Sequence, residues 1–247
     1  MKIEEYGKPE GSSILCVPGV FMSGDFFSRL AEQMPEYHFV CVTLDGFHPG
    51  CEEFTGLEPQ VEKLVGLLVQ RNLTRFELAI GLSMGTIFAV KLAKREELSI
   101  KKLFLDGAVS FYESKHPKAL KAAMYLIFSY FRKTAKDEQK SMKSLQKIYT
   151  EDWAKKSHLC RKSLSKPSLK VIVRLLAEYR LEPGVTQPMY LLFGAKEDNI
   201  TINSRTVKEL YPSAKITVQP GYNHLGYLDH EPEHYAEMIR RVLADKS

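Results

Sequence analysis

The sequence is poor in several features that mark particular protein classes. It has one Trp and four cysteines, Cys16, Cys41, Cys51 and Cys160, with no CxxC pair and no clustering with histidine. That usage argues against a disulfide scaffold and a zinc finger, and it fits reduced thiols in a cytoplasmic protein. No apolar run approaches the roughly 18 residues a membrane-spanning helix needs. The opening MKIEEYGKPEGSS lacks the apolar core of a secretory signal. Gly (15) and Pro (12) are too few for collagen-like or low-complexity chains. With 44% hydrophobic and 26% charged residues in 247, the chain is long enough and apolar enough for a packed core.

The excess of positive charge is small but unevenly spread. Overall 35 Lys+Arg face 30 Asp+Glu. Residues 110–185 hold 17 basic residues, among them Lys115, Lys133, Lys155, Lys156, Arg161, Lys170 and Arg180, against 7 acidic ones. The remainder carries 18 basic and 23 acidic, so +10 in the middle is set against −5 elsewhere. Such a shift marks a separate structural layer. No nucleic-acid motif accompanies the basic residues, so a solvated basic face is the expectation and nucleic acid is not an expected partner.

Hydrophobic periodicity supplies the architecture. Short apolar runs at 13–17, 38–44, 76–82, 101–109, 188–194 and 214–218 read as buried strands. Helical patterns near 25–33, 57–71, 84–95, 201–210 and 231–244 alternate with them. Continuous apolar strands alternating with amphipathic helices predict an α/β fold with a mostly parallel sheet covered on both faces. Between the fourth and fifth strands lie helical patterns near 116–133, 138–149, 151–163 and 167–181. The expected organisation is therefore a core made of 1–109 and 186–247, with 110–185 as a helical cap over one edge of the sheet.

Chemistry enters at Gly81-Leu82-Ser83-Met84-Gly85, where a predicted buried strand meets a predicted helix. A serine on so tight a turn takes strained backbone angles, and side chains two residues to either side would collide with it, which explains the glycines. The turn sets the Met84 N–H at a helix N-terminus, where an anion is favoured.

This strand–GxSxG–helix pattern resembles the α/β-hydrolase superfamily, specifically its serine esterase and lipase branch, over about residues 12–244. The family's chain order is serine, acid, histidine. The resemblance implies that Ser83 is the nucleophile. It implies an acid in Gly194-Ala195-Lys196-Glu197-Asp198-Asn199, with Asp198 expected, Glu197 the alternative and Asp106 third. It implies the histidine in Gln219-Pro220-Gly221-Tyr222-Asn223-His224. His224 is expected there over His230 or His48. An oxyanion hole would come from Met84 N–H and from Val20 N–H, with Phe21 second, in the turn Pro18-Gly19-Val20-Phe21. This chain departs from many relatives in having Pro-Gly rather than His-Gly at that turn.

The expected activity is that of a cofactor-free, metal-free serine hydrolase acting on small-molecule carboxylic esters or thioesters through an acyl-enzyme. An acyltransferase, or a receptor with negligible turnover, would use the same residues. Leu120, Met124, Ile127, Phe128 and Phe131 fall at helical spacing in the cap, and Phe21, Met124 and Phe128 are expected to line an acyl pocket.

Overall fold

The computed structural model describes residues 1–112 and 114–246; residue 113 of the expected cap and residue 247 lie outside the described residues. Strands β1 (Lys2–Gly7), β2 (Ser13–Val17) and β3 (His38–Thr43) enclose a short 3₁₀ turn at Gly24–Phe27 and helix α1 (Ser28–Gln33). Then come α2 (Leu57–Gln70), β4 (Arg75–Phe76), β5 (Leu78–Leu82), α3 (Gly85–Leu92), β6 (Ser99–Ile100) and β7 (Leu103–Asp106). Helices α4 (Pro117–Thr134), α5 (Glu138–Leu145), α6 (Glu151–Ser163) and α7 (Lys166–Glu178) precede β8 (Met189–Gly194). The chain closes with α8 (Ile200–Leu210), β9 (Lys215–Gln219), α9 (Gly226–His230) and α10 (Pro232–Ala244).

Seven strands form one sheet in the order β1-β3-β2-β5-β7-β8-β9. Every neighbouring pair is parallel except β1 with β3. Helices cover both faces, with α1 packed beside α10 and α2 beside α3. The central strands β2, β3, β5, β7 and β8 are buried almost throughout, as continuous apolar runs require when both faces are covered.

The differences from the sequence reading lie at edges and breaks. β1 was not expected, because KIEEYG buries only Ile3 and carries charge on an exposed edge. β9 is also an edge and is half exposed. The run at 76–82 splits into β4 and β5, the run at 101–109 shortens to β7, and β6 forms just before it, pairing with β4 as a separate two-stranded ladder. The four inserted helices fall where the periodicity put them. Lys166-Pro167 opens α7, with the Ser165 side chain accepting from Ser168 N–H and proline in the first turn. The insertion is tied to the core through α6: the Trp153 ring meets Phe26 at 4.9 Å, and Lys156 Nζ donates to the Asp25 carbonyl at 2.9 Å.

Candidate active site

Ser83 sits between the last residue of β5 and the start of α3 with φ +52°, a left-handed conformation that is strained for any side chain and costs about 1–3 kcal/mol. The surroundings hold it there. Ser83 N–H donates to the Asp106 carbonyl at 2.8 Å, and the Ser83 carbonyl accepts from Thr86 N–H and, at 2.6 Å, from Thr86 Oγ1. Both flanking glycines are required by space. A Cβ on Gly81 would lie 2.6 Å from the Gly85 carbonyl oxygen, and one on Gly85 would overlap the Val17 carbonyl oxygen.

Two loops close on this turn. A Cβ on Gly19 would meet Ser83 Cβ at 2.8 Å, so the Pro18–Phe21 turn passes directly over the serine. On the other side, Gly107 (φ +61°) follows Asp106, and a Cβ there would meet His224 Cε1 at 2.5 Å. The imidazole thus lies close against the strand end whose carbonyl holds Ser83. Among the described residues no hydrogen bond joins Ser83 Oγ to the ring.

The carboxylate that reaches His224 is Glu197, not Asp198. Glu197 Oε2 lies 2.7 Å from His224 Nδ1, and Oε1 accepts from Gly194 N–H at 2.7 Å. That second bond turns the Glu197 side chain inward, leaving it 10% exposed, while its neighbour Asp198 points to solvent on the rim of a cavity of about 340 Å³ lined also by Asn199, Asn203 and His224. Asp106 makes no hydrogen bond to the ring either. It is 2% exposed, and its Oδ2 accepts from the Tyr235 hydroxyl at 3.1 Å. Burial, reinforced by the charge of Glu197, pushes its carboxyl up to about 7, against opposing pulls from His224 and Tyr235. His230 is 3.9 Å from Asp229, and His48 bonds its neighbour Pro49; neither meets Ser83.

The backbone N–H groups of Val20, Phe21 and Met84 donate to nothing among the described residues. Three unspent donors beside a serine are what a developing oxyanion would need. Phe21 itself has φ +63° and packs edge-on against Phe128 at 5.4 Å and Phe131 at 6.2 Å. Met124, Phe128 and Phe131 pack against the core from α4 and Leu120 is half-buried, but Ile127 is exposed, as are Leu126 and Tyr130. A wider groove of about 570 Å³ between α4 and α7, lined by Lys118, Lys121, Tyr125, Lys170 and Arg174, includes none of Ser83, Glu197 and His224.

One residue counted with the solvated basic face is not on it. Arg161 is buried in α6, with its guanidinium 4.4 Å from the Phe131 ring and 5.4 Å from the Phe21 ring. The signal was present: Trp153, Ala154, Ser157, His158 and Arg161 recur at helical spacing and are the buried face of that helix. Among the described residues no group of His, Cys, Asp and Glu could hold a metal ion, and no helix is long and apolar enough to cross a membrane.

No protein-family model matches the chain. It is 23% identical over 245 residues to Lipase 1 of Psychrobacter immobilis, covering 91% of this chain and 75% of that one. Among solved structures, the esterase EaEST from Exiguobacterium antarcticum superposes with a TM-score of 0.79 at 17% identity, covering 98% of this chain and 95% of that one. The alpha/beta hydrolase family protein from Desulfitobacterium hafniense gives 0.78 at 21% identity, covering 98% and 100%. Sheet order, strand–serine–helix turn and these superpositions together make the chain an α/β-hydrolase-fold protein.

Proposed function

We propose that the protein is a serine hydrolase that cleaves carboxylic esters or thioesters of small to medium acyl groups through an acyl-enzyme. The observation that carries this reading is the 2.7 Å contact of His224 with Glu197 beside a serine held at φ +52°. In the proposed cycle His224 takes the Ser83 proton as Oγ attacks the substrate carbonyl, then returns it to the leaving alcohol or thiol. Glu197 fixes the ring tautomer and stabilises the imidazolium. The unspent N–H of Met84, with that of Val20 or Phe21, receives the oxyanion. Water, positioned by the same imidazole, then releases the acid. Neither a cofactor nor a metal takes part.

Residues 110–185 act as the lid of this site in the proposal, and the contact of Phe21 with Phe128 supports an acyl pocket shared between lid and core. Four unbridged thiols support a cytoplasmic location. The lipase and esterase names of the relatives agree with the ester class. The test is a fluorophosphonate probe followed by peptide mass spectrometry, together with an ester and thioester panel. Labelling and turnover that disappear in Ser83→Ala are expected; labelling of another serine, or undiminished turnover, would overturn the assignment.

A further inference from the structure

Arg161 is 5% exposed, and no hydrogen bond or ion pair satisfies it among the described residues; its Nε is sealed from solvent without an acceptor. A buried cation without a counter-ion is costly, and natural chains keep one only where something offsets the cost. The Phe21 and Phe131 rings offset part of it through their π-faces. No carboxylate among the described residues does so. Asp229, a buried acid of this region, spends both oxygens on Thr150, accepting from its N–H at 2.7 Å and its hydroxyl at 2.5 Å.

A second orphan lies on the same face of the same helix. His158, three residues earlier and also 5% exposed, has an Nδ1 with no partner. Residues at this spacing are neighbours on a helix surface. Arg132 Nε, next to Phe131 on α4, is unpartnered too. Among the described residues, two unpartnered nitrogens, His158 Nδ1 and Arg161 Nε, thus lie three residues apart on the buried face of α6. The region adjoins the reaction site: Arg161 stacks on Phe21, and two residues before Phe21 the turn touches Ser83.

We infer that Arg161, with His158 beside it, receives a carboxylate carried by the substrate, so that the preferred substrates are esters bearing a negative charge away from the scissile bond. One guanidinium fits one planar monoanion through two parallel hydrogen bonds. Burial lowers the guanidinium's affinity for its proton, with the neighbouring Tyr149 opposing, and an incoming carboxylate would reverse that cost. This deepens the ester-hydrolase reading and rests on it. It differs from long-range attraction by the exposed lysines of the insertion, which salt would screen.

The experiment compares matched esters on the full chain. Mono-p-nitrophenyl adipate against p-nitrophenyl hexanoate places the carboxylate on the acyl side. 4-Carboxyphenyl hexanoate against phenyl hexanoate places it on the leaving group. The wild type should prefer the acidic member of at least one pair in kcat/KM. Arg161→Gln should cut that preference about 10- to 100-fold, mainly through KM, and Arg161→Lys should restore part of it. Thermal melting of each variant tracks folding, and Arg161→Lys keeps the question answerable if Arg161→Gln unfolds. Wild type without preference in either pair, or equal losses on acidic and neutral members, overturns the inference and leaves Arg161 a packing residue. Absence of Ser83 labelling and of all ester cleavage would instead overturn the hydrolase reading. Calorimetric binding of adipate, present in wild type and lost in Arg161→Gln, would then still decide for the anion site, and its absence against it.

Discussion

The carboxylates around the Ser83 turn and the buried polar groups of the inserted helices differ in how they are satisfied. On the core side, the two largely buried carboxylates near Ser83 are engaged: Glu197 by Gly194 and His224, Asp106 by Tyr235. Of the six described residues that keep a buried polar atom without a partner, four, Arg132, Ser141, His158 and Arg161, lie on the inserted helices; His48 and Ser204 are in the core. A satisfied network is preorganised and needs no reorganisation when charge develops. Orphaned donors cost stability until something binds to them. In the proposed mechanism the chemistry falls to the sheet ends and the choice of substrate to the insertion, and that division can be broken from either side.

The largest effect should come from the core. Ser83→Ala and His224→Ala should each lower kcat by roughly 10⁴- to 10⁶-fold, with little further loss when combined, because they act as one unit. Single-turnover kinetics on a p-nitrophenyl ester measures both. Additive losses would mean that the two do not share a step.

Next comes the acid. Glu197→Gln keeps an oxygen for Gly194 but sets an amide against His224 Nδ1, which selects the wrong tautomer; kcat should drop about 10²- to 10⁴-fold. Asp198→Asn should stay within about threefold, since its carboxylate faces solvent. The reverse ranking in kcat would return the role to Asp198.

How far this division was legible in the sequence depends on the kind of information each residue carries. The turn at Ser83 was legible because its two glycines answer a steric demand that spacing records. That His224 would lie beside this turn was expected from its place after the last strand, and it is found against Gly107 and Glu197. Glu197 and Asp198 could not be separated, because consecutive loop side chains diverge and the choice rests on one bond to Gly194 N–H. Asp198 was the residue expected from the resemblance, and the local turn geometry overrode it. β1 escaped because an antiparallel edge strand needs only one buried side, and Ile3 alone supplies it. Arg161 was read as solvated because charge runs usually are; the Trp153–Arg161 spacing that buries it was legible but outweighed by composition.

Asp106 offers a stability test of the core network. Folded, it holds its proton up to about pH 7; unfolded, it releases it in the ordinary carboxylate range near 3.8. Between these values the folded chain binds more protons than the unfolded one, so this group lowers stability as pH rises. The cost is absent below the unfolded value and complete above about 7, where it reaches up to about 4 kcal/mol. Asp106→Asn retains an acceptor for Tyr235 and abolishes the titration. Urea unfolding at about pH 4.5, 6 and 7.5 should show the variant gaining on the wild type at each step. A constant difference across the series would place the Asp106 proton elsewhere.

The smallest effect belongs to the seam between the two sides, where Phe128 meets Phe21 edge-on at 5.4 Å. Both rings are apolar, and Phe21 belongs to the turn that passes over Ser83, so an acyl chain seated there would bury its methylenes against them. Each buried CH₂ is worth about 0.8 kcal/mol, or roughly fourfold in kcat/KM. Wild-type activity should therefore climb from acetyl through butyryl and hexanoyl p-nitrophenyl esters. Phe128→Ala removes a half-buried ring and one aromatic pair, which costs about 1–3 kcal/mol of stability. It also opens the wall, so the optimum should move toward longer chains while Ser83 labelling persists. If the ring only packs the insertion onto the core, the variant will melt earlier but lose activity by the same factor on every ester. A slope of kcat/KM against chain length that differs between the two proteins is the signature of a pocket, because packing alone cannot count methylenes.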